Sequence, residues 1–227
     1  MPNNRPTVLI TGASSGIGAA LARHLAPTWR LILVARRADR LQDLAASLPD
    51  ALAVPGDLAA ADGPETIARA CAGELHALVN NAGIFQTSDT SAYTADHLNA
   101  VFALNTVAPM RLTAALLPRL VRGATIVNVS SVAAVSAFPG CGAYAASKAA
   151  LEAWSRSLRL ELRPAGIRVG IVAPGATDTE VWPAGAPVPR ERMCRAEDVA
   201  QSIAFMLEAS PSACIERLEI MPPSGPF

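Results

Sequence analysis

A doubly wound α/β domain, with a parallel sheet of about seven strands and helices on both faces, is the fold class this sequence predicts. Three observations predict it. Short apolar runs, β-branched or Leu-rich, recur beside Gly, Pro, Asp or Asn. Amphipathic stretches of helical period lie between them, and that alternation requires parallel strands covered by helices. The composition is 51% hydrophobic but only 4% aromatic, which suits buried parallel strands against closely packed helices.

The strand runs are TVLIT at Thr7–Thr11, LILVA at Leu31–Ala35, ALAV at Ala51–Val54 and ALVN at Ala77–Asn80. They continue with TIVNV at Thr125–Val129, RVGIV at Arg168–Val172 and RLEIM at Arg217–Met221. The first helix, Gly18–Ala26, carries Ala19, Leu21, Ala22 and Leu25 on one side. The second, Ala38–Leu48, spaces Leu41, Leu44, Ala45 and Leu48 helically. Asp96–Leu120 and Ala145–Arg163 are long and apolar. Ala196–Glu208 opens with Glu197 and Asp198, which suit the positive end of a helix. The three His, at 24, 76 and 97, fall on helices or their ends and read as structural. No repeat or linker divides the chain, so residues 1–227 read as one domain. Its least regular stretch, 180–195, reads as a connection or a short flap over a site.

Lys+Arg and Asp+Glu are 19 each, so the formal net charge is zero. That removes the bulk electrostatic case for nucleic acid or an anionic membrane as partner. No apolar run reaches the roughly 18–20 residues that span a bilayer. The apolar stretch before Thr11 is too short for a signal-peptide core. Cys71, Cys141, Cys194 and Cys214 form no C-x-x-C pair and have no His at metal spacing. They read as free thiols in a reducing cytosol, with no metal site and a cytoplasmic location.

The first strand runs into TGASSGIG, Thr11–Gly18, and then into a helix. Gly12 suits a turn of positive φ, Gly16 close approach of a ligand, and Gly18 close helix–strand packing. The backbone around Ala13, Ser14, Ser15 and Ile17 then offers N–H groups to a pyrophosphate. A plain tight strand–helix turn is the bland alternative. After the second strand stands Ala35-Arg36-Arg37, where an NAD site usually has a carboxylate for the ribose. Two guanidinium groups suit a 2′-phosphate, so NADP(H) is the expected cofactor. Asp57-Leu58 follows the third strand and Asn80-Asn81-Ala82-Gly83 the fourth, both on the ligand face. Asp57 suits an adenine amino group or a turn. Asn81 and Gly83 suit packing along the cofactor, or Asn81 suits bonding to neighbouring backbone. Asn80 reads as structural.

The fifth strand ends in Val129-Ser130-Ser131, and GAYAASKAAL follows with Tyr144 and Lys148. Positions i and i+4 share one helix face. A nearby ammonium is expected to lower the phenol pKa toward the range useful for proton transfer. Ser131 can hold a carbonyl or hydroxyl oxygen.

With TGASSGIG, Asp57-Leu58, NNAG at Asn80–Gly83, Asn105, Ser131, Tyr144, Lys148 and Pro174-Gly175, nearly the whole chain resembles the short-chain dehydrogenase/reductase family. The resemblance implies a Rossmann-type fold with Tyr144 as general acid/base and Lys148 holding the ribose hydroxyls. Ser131 would position the substrate oxygen, and Asn105 would hold a water in a proton relay. Pro174, Gly175, Thr177 and Thr179 would border the nicotinamide, Thr177 standing where the family often has an aliphatic residue. A homodimer or homotetramer packed through the two long helices is implied as well. Val181, Trp182, Pro183 and Ala184, with Phe138, Pro139 and Cys141, are expected around the substrate. They favour an apolar aldehyde or ketone. Cys141 reads as a lining thiol. A 3-oxoacyl-thioester reductase and a non-catalytic NADP(H)-binding sensor are the rival readings.

Overall fold

The computed structural model describes residues 5–182 and 188–225. Its frame is a seven-stranded parallel sheet. The strands are β1 (Thr7–Thr11), β2 (Arg30–Ala35), β3 (Ala51–Pro55), β4 (Leu75–Asn80), β5 (Leu120–Val129) and β6 (Arg168–Pro174), with Arg217–Ile220 at the far edge. Two short strands between the last two, β7 (Thr177–Asp178) and β8 (Cys194–Arg195), pair with each other, so the edge strand is β9. The spatial order is β3-β2-β1-β4-β5-β6-β9. The chain thus winds one way from β1 and then the other from β4, and this reversal places a crevice beyond the carboxyl ends of β1 and β4.

Alternation along the strands builds two cores. In β1, Val8 and Ile10 join the core on one face, and Leu9 joins the core on the other. The first face is covered by α1 (Gly16–Leu25), α2 (Ala38–Ala46) and α7 (Ala196–Leu207). Ala19, Leu21, Ala22 and Leu25, at the predicted spacing, are all buried there. Each fully buried Leu of this kind contributes about 1.5–3 kcal/mol. At the start of α7, Asp198 accepts the Arg195 amide at 3.1 Å, as an acidic first turn should.

The other face is covered by α3 (Gly63–Ala70), α5 (Ala108–Leu116) and α6 (Gly142–Leu162). α4 (Ala95–Phe102) leads into α5 through one π-helical turn, Ala103–Val107. This continuous helical stretch, Ala95–Arg119, has 25 residues and a mean hydropathy of 1.5 over its most apolar window. It is therefore long and apolar enough to match a membrane span, contrary to the expectation that no such segment exists. Its apolarity serves the core: half of that window is buried, with Leu112 and Leu116 fully so.

Two smaller expectations also change. α3 is an additional helix, and His76 lies in β4, not on a helix. His76 Nδ1 accepts the Thr7 amide at 3.1 Å and so ties two chain segments together. All four cysteine thiols are free, and only Cys214 is exposed.

Candidate active site

A cleft of about 880 Å³ opens at the carboxyl ends of the strands. Its inner edge is the turn after β1. Gly12 has φ +67°, a conformation that favours glycine. The Thr11 hydroxyl accepts the amides of Asn81 and Ala82 at 3.0 Å each. Asn81 Nδ2 donates back to the Thr11 carbonyl at 2.8 Å. The ends of β1 and β4 are thereby stitched together, and Asn81 bonds neighbouring backbone while lining the cleft. A Cβ at Gly18 would fall on the Gly12 carbonyl oxygen, so glycine there lets α1 close onto the turn.

Ser15 is the N-cap of α1, yet its side chain does not cap the helix. Its Oγ accepts Arg37 Nη2 at 2.6 Å, and Ser14 Oγ accepts Arg37 Nε at 3.2 Å. The first-turn amides of α1 thus lack a side-chain cap. Ser15, Gly16 and Ile17 border the cleft. Such a helix start suits an anionic group. Arg36 and Arg37 lie on the same rim, as do Gly56 and Asp57. Asp57 Oδ1 accepts the Ala59 amide at 3.0 Å, so the turn role is present along with the position on the cleft. Leu58 is mostly committed to the core, at 7% exposure.

At the other end, β5 delivers Ser131 and α6 delivers Tyr144 and Lys148 to one wall. Ser131 Oγ accepts the Ala133 amide at 3.2 Å, and its side chain hydrogen-bonds Tyr144. Lys148 Nζ donates to the Val129 carbonyl at 2.8 Å and stands 5.9 Å from the Tyr144 ring centre. Glycine at position 83 leaves room here: a Cβ would come within 3.0 Å of Asn105 Oδ1 and 3.4 Å of Lys148 Nζ.

The electrostatics differ from the expectation of an acidified phenol. Burial pushes the Tyr144 pKa up to about 12, against a lowering contribution from the Ser131 hydrogen bond. Burial also brings Lys148 down to about 8. Spacing places the two groups side by side. The removal of water from both outweighs their mutual influence, because each charged form loses solvation.

Asn105 sits in the π-helical turn and is fully buried. Its Oδ1 accepts the Ile84 amide at 2.9 Å. Its two Nδ2 hydrogens go to the Ile84 carbonyl at 3.0 Å and Ser147 Oγ at 3.1 Å. Both donors are therefore spent on protein, and a water could use only the remaining lone pair of Oδ1. The visible work of Asn105 is to lock the segment after β4 to α6. Asn80 is structural, bonded to Thr113 and Asn128.

Pro174, Gly175, Thr177, Thr179, Val181 and Trp182 line the cleft after β6. Thr177 Oγ1 donates to the Gly175 carbonyl at 3.0 Å, and Trp182 Nε1 donates to the Thr177 carbonyl at 2.8 Å. Cys141 is buried on the wall, and burial pushes its thiol up, as befits a lining group. Pro183 and Ala184, with the middle of the 180–195 stretch, lie outside the described residues.

Sequence reasoning missed three side chains. Phe85 packs edge-on against Tyr144 and at a tilt against Trp182, with ring centres 5.0 Å apart in both cases. Tyr93 accepts the Ala143 amide at 3.0 Å and so caps the start of α6, one residue before Tyr144. Glu180 bonds Arg37 and Arg40 across the rim. Each contact joins segments distant in sequence, and no local pattern announces it.

The comparisons agree with this geometry. The short chain dehydrogenase family matches residues 6–186. Sulfoacetaldehyde reductase of Chromohalobacter salexigens is 34% identical, over 95% of this chain and 93% of the relative. Serine 3-dehydrogenase of Agrobacterium fabrum is 32% identical, over 97% and 95%. A short chain dehydrogenase from Burkholderia cenocepacia J2315, solved in complex with NADP, has a TM-score of 0.86 and 33% identity, over 95% of this chain and 96% of its own. With strand order, glycine turn and the Ser131–Tyr144–Lys148 wall in common service of one cleft, this chain belongs to the short-chain dehydrogenase/reductase family of oxidoreductases.

Proposed function

We propose that the protein is an NADP(H)-dependent reductase of small apolar aldehydes or ketones. The observation that carries this is the division of one cleft into two ends. Arg36 and Arg37 stand at one end. Ser131 and Tyr144 stand at the other, beside the aromatic wall of Phe85 and Trp182. The arginines and the uncapped start of α1 fit the phosphates of NADP(H), and the Burkholderia relative was solved with NADP. Bound NADPH supplies the hydride.

The chain's residues do the rest. Ser131 Oγ holds the carbonyl oxygen, and Tyr144 donates its phenolic proton to that oxygen as the alkoxide charge develops. A phenol with pKa near 12 is protonated at neutral pH, which suits the reducing direction. Lys148 would hold the ribose of the cofactor, with Gly83 and Asn105 packed close to its ammonium. Phe85 and Trp182 exclude water and present an apolar face to the substrate.

The substrate class follows from charge. The basic groups lining the cleft are Arg36 and Arg37 at the cofactor end and, on the Tyr144 wall, the buried Lys148, whose ammonium bonds the Val129 carbonyl. Arg190 and Arg195 are turned to Asp178 and Asp198, and residues 183–187, PAGAP, carry no charge. A sulfonate would find no cation beyond the buried Lys148 among these groups at the substrate end, and neither would the phosphopantetheine of a carrier-borne oxoacyl thioester. The chain is proposed to act as one domain, with 180–195 as its substrate flap. It is proposed to assemble as a homodimer or homotetramer through α4–α6, where Val107 and Leu160 are exposed.

The test is NADPH consumption with benzaldehyde, sulfoacetaldehyde and acetoacetyl thioester, for the wild type and Tyr144→Phe. Benzaldehyde should be reduced with the highest kcat/KM. Tyr144→Phe should lose at least about 100-fold in turnover while binding NADPH normally. Unchanged turnover in Tyr144→Phe removes the mechanism. A preference for sulfoacetaldehyde removes the substrate class, and no turnover of any carbonyl points to a sensor.

A further inference from the structure

Glu180 follows directly on Thr179 at the cleft rim, and its carboxylate engages two arginines of another element. Oε2 accepts Arg37 Nη1 at 2.7 Å, and both oxygens accept Arg40 Nη1 at 2.8 Å. Arg37 simultaneously holds Ser14 and Ser15 of the glycine turn. One guanidinium therefore joins the glycine turn, the start of α2 and the start of the flap, bridging residues 143 apart in sequence. Its nitrogens are shared between two hydroxyls and one anion.

That guanidinium is one of the two assigned above to the 2′-phosphate of NADP(H). A carboxylate has the same sign of charge and the same acceptor chemistry as a phosphate oxygen, and both suit the planar donor edge of arginine. The hydrogen bond from Arg37, assisted by Arg40, holds the Glu180 carboxyl below the usual carboxylate range. We propose that Glu180 sets cofactor discrimination: its carboxylate competes with the 2′-phosphate for Arg37 and Arg40 and narrows the preference for NADP(H) over NAD(H). The proposal rests on the reading of Arg36 and Arg37 as phosphate ligands.

The competition is partial for two reasons. Arg36 forms no hydrogen bond or ion pair among the described residues and stays open to a phosphate. The three competing side chains are also exposed: Arg37 is 43% exposed, Arg40 55% and Glu180 57%. Exposed pairs of this kind shift an equilibrium by about five-fold at most. Glu180 is therefore a tuning group, with an effect of a few-fold, and not a block.

The experiment is calorimetric titration of the full chain with adenosine 2′,5′-bisphosphate and with 5′-AMP. It compares the wild type, Glu180→Gln, and the double variant Arg36→Ala/Arg37→Ala. Glu180→Gln should bind the bisphosphate about three- to five-fold more tightly and 5′-AMP equally well. Unchanged or weaker bisphosphate binding in Glu180→Gln overturns the competition. If the double arginine variant still prefers the bisphosphate like the wild type, the phosphate reading itself fails, and the competition fails with it. If that variant loses the preference while Glu180→Gln changes nothing, only the competition fails.

Discussion

Lys148 is a cation kept at 4% exposure, and its replacement by Met should stabilise the fold while removing turnover. Burial lowers its pKa from 10.5 to about 8. Between those values the unfolded chain binds more protons than the folded one, so wild-type stability rises with pH across that window. The folded state bears a penalty of about 3 kcal/mol at pH 7, falling to about 1.5 kcal/mol at pH 9.5. Met has a similar length and no charge. It gives up the bond from Nζ to the Val129 carbonyl, a loss of about 1 kcal/mol. Lys148→Met should therefore gain about 2 kcal/mol at pH 7, raising Tm by about 4–8 °C for a chain of this size. The gain should shrink to nearly nothing at pH 9.5. Urea titrations followed by circular dichroism at both pH values measure it. A variant less stable than the wild type at pH 7 would refute the reasoning, as would an advantage identical at the two pH values.

Tyr93→Phe removes the acceptor for the Ala143 amide, so Tm should fall by about 2–4 °C with a parallel loss of kcat. Thermal melts and steady-state kinetics report both, and an unchanged Tm would show that Tyr93 does not hold α6. Asn105→Ala deletes the bonds to Ile84 and Ser147. It should lower unfolding free energy by about 2–4 kcal/mol with an unchanged urea m-value. A loss below about 1 kcal/mol would mean that those bonds are replaced by water at little expense.

The frame of the molecule was legible because burial leaves a local trace. Leu9, Leu31, Leu33, Val79 and Ile126 are apolar because the sheet is covered on both faces, and their runs mark the strands. The glycine turn was equally legible, since positive φ at Gly12 and the close approach at Gly18 each admit essentially one residue type. α3 was missed because it is short. Its faces separate cleanly, but eight residues leave room for only Pro64, Ile67 and Ala68 on the buried side. Pro64 and Glu65 at its start were the available signal. The phenol pKa was misjudged for a different reason. The spacing of Tyr144 and Lys148 gives proximity, and desolvation depends on everything else that packs around them.

The site's remaining determinants share one physical character. Tyr93 reaches Ala143 across 50 residues, Asn105 reaches Ser147 across 42, and Glu180 reaches Arg37 across 143. Each is a polar bond between distant segments, at loops or helix ends for Tyr93 and Glu180 and inside two helical stretches for Asn105, and not part of the apolar packing of the sheet. The π-helical turn shows such a bond inside a helix. An uninterrupted α-helix through Ala103–Val107 is excluded by Pro109, which has no N–H for the Asn105 carbonyl four residues back and whose ring crowds it. The wider turn instead coincides with the residue that Ile84 and Ser147 hold from two directions. Four side-chain bonds join this one turn to its surroundings: three from Asn105, and the one Thr106 Oγ1 donates to the Ser147 carbonyl at 2.9 Å. They offset the departure from α geometry. The irregularity therefore sits behind the wall of the cleft, where its bonds hold the segment after β4 to α6 beside Lys148.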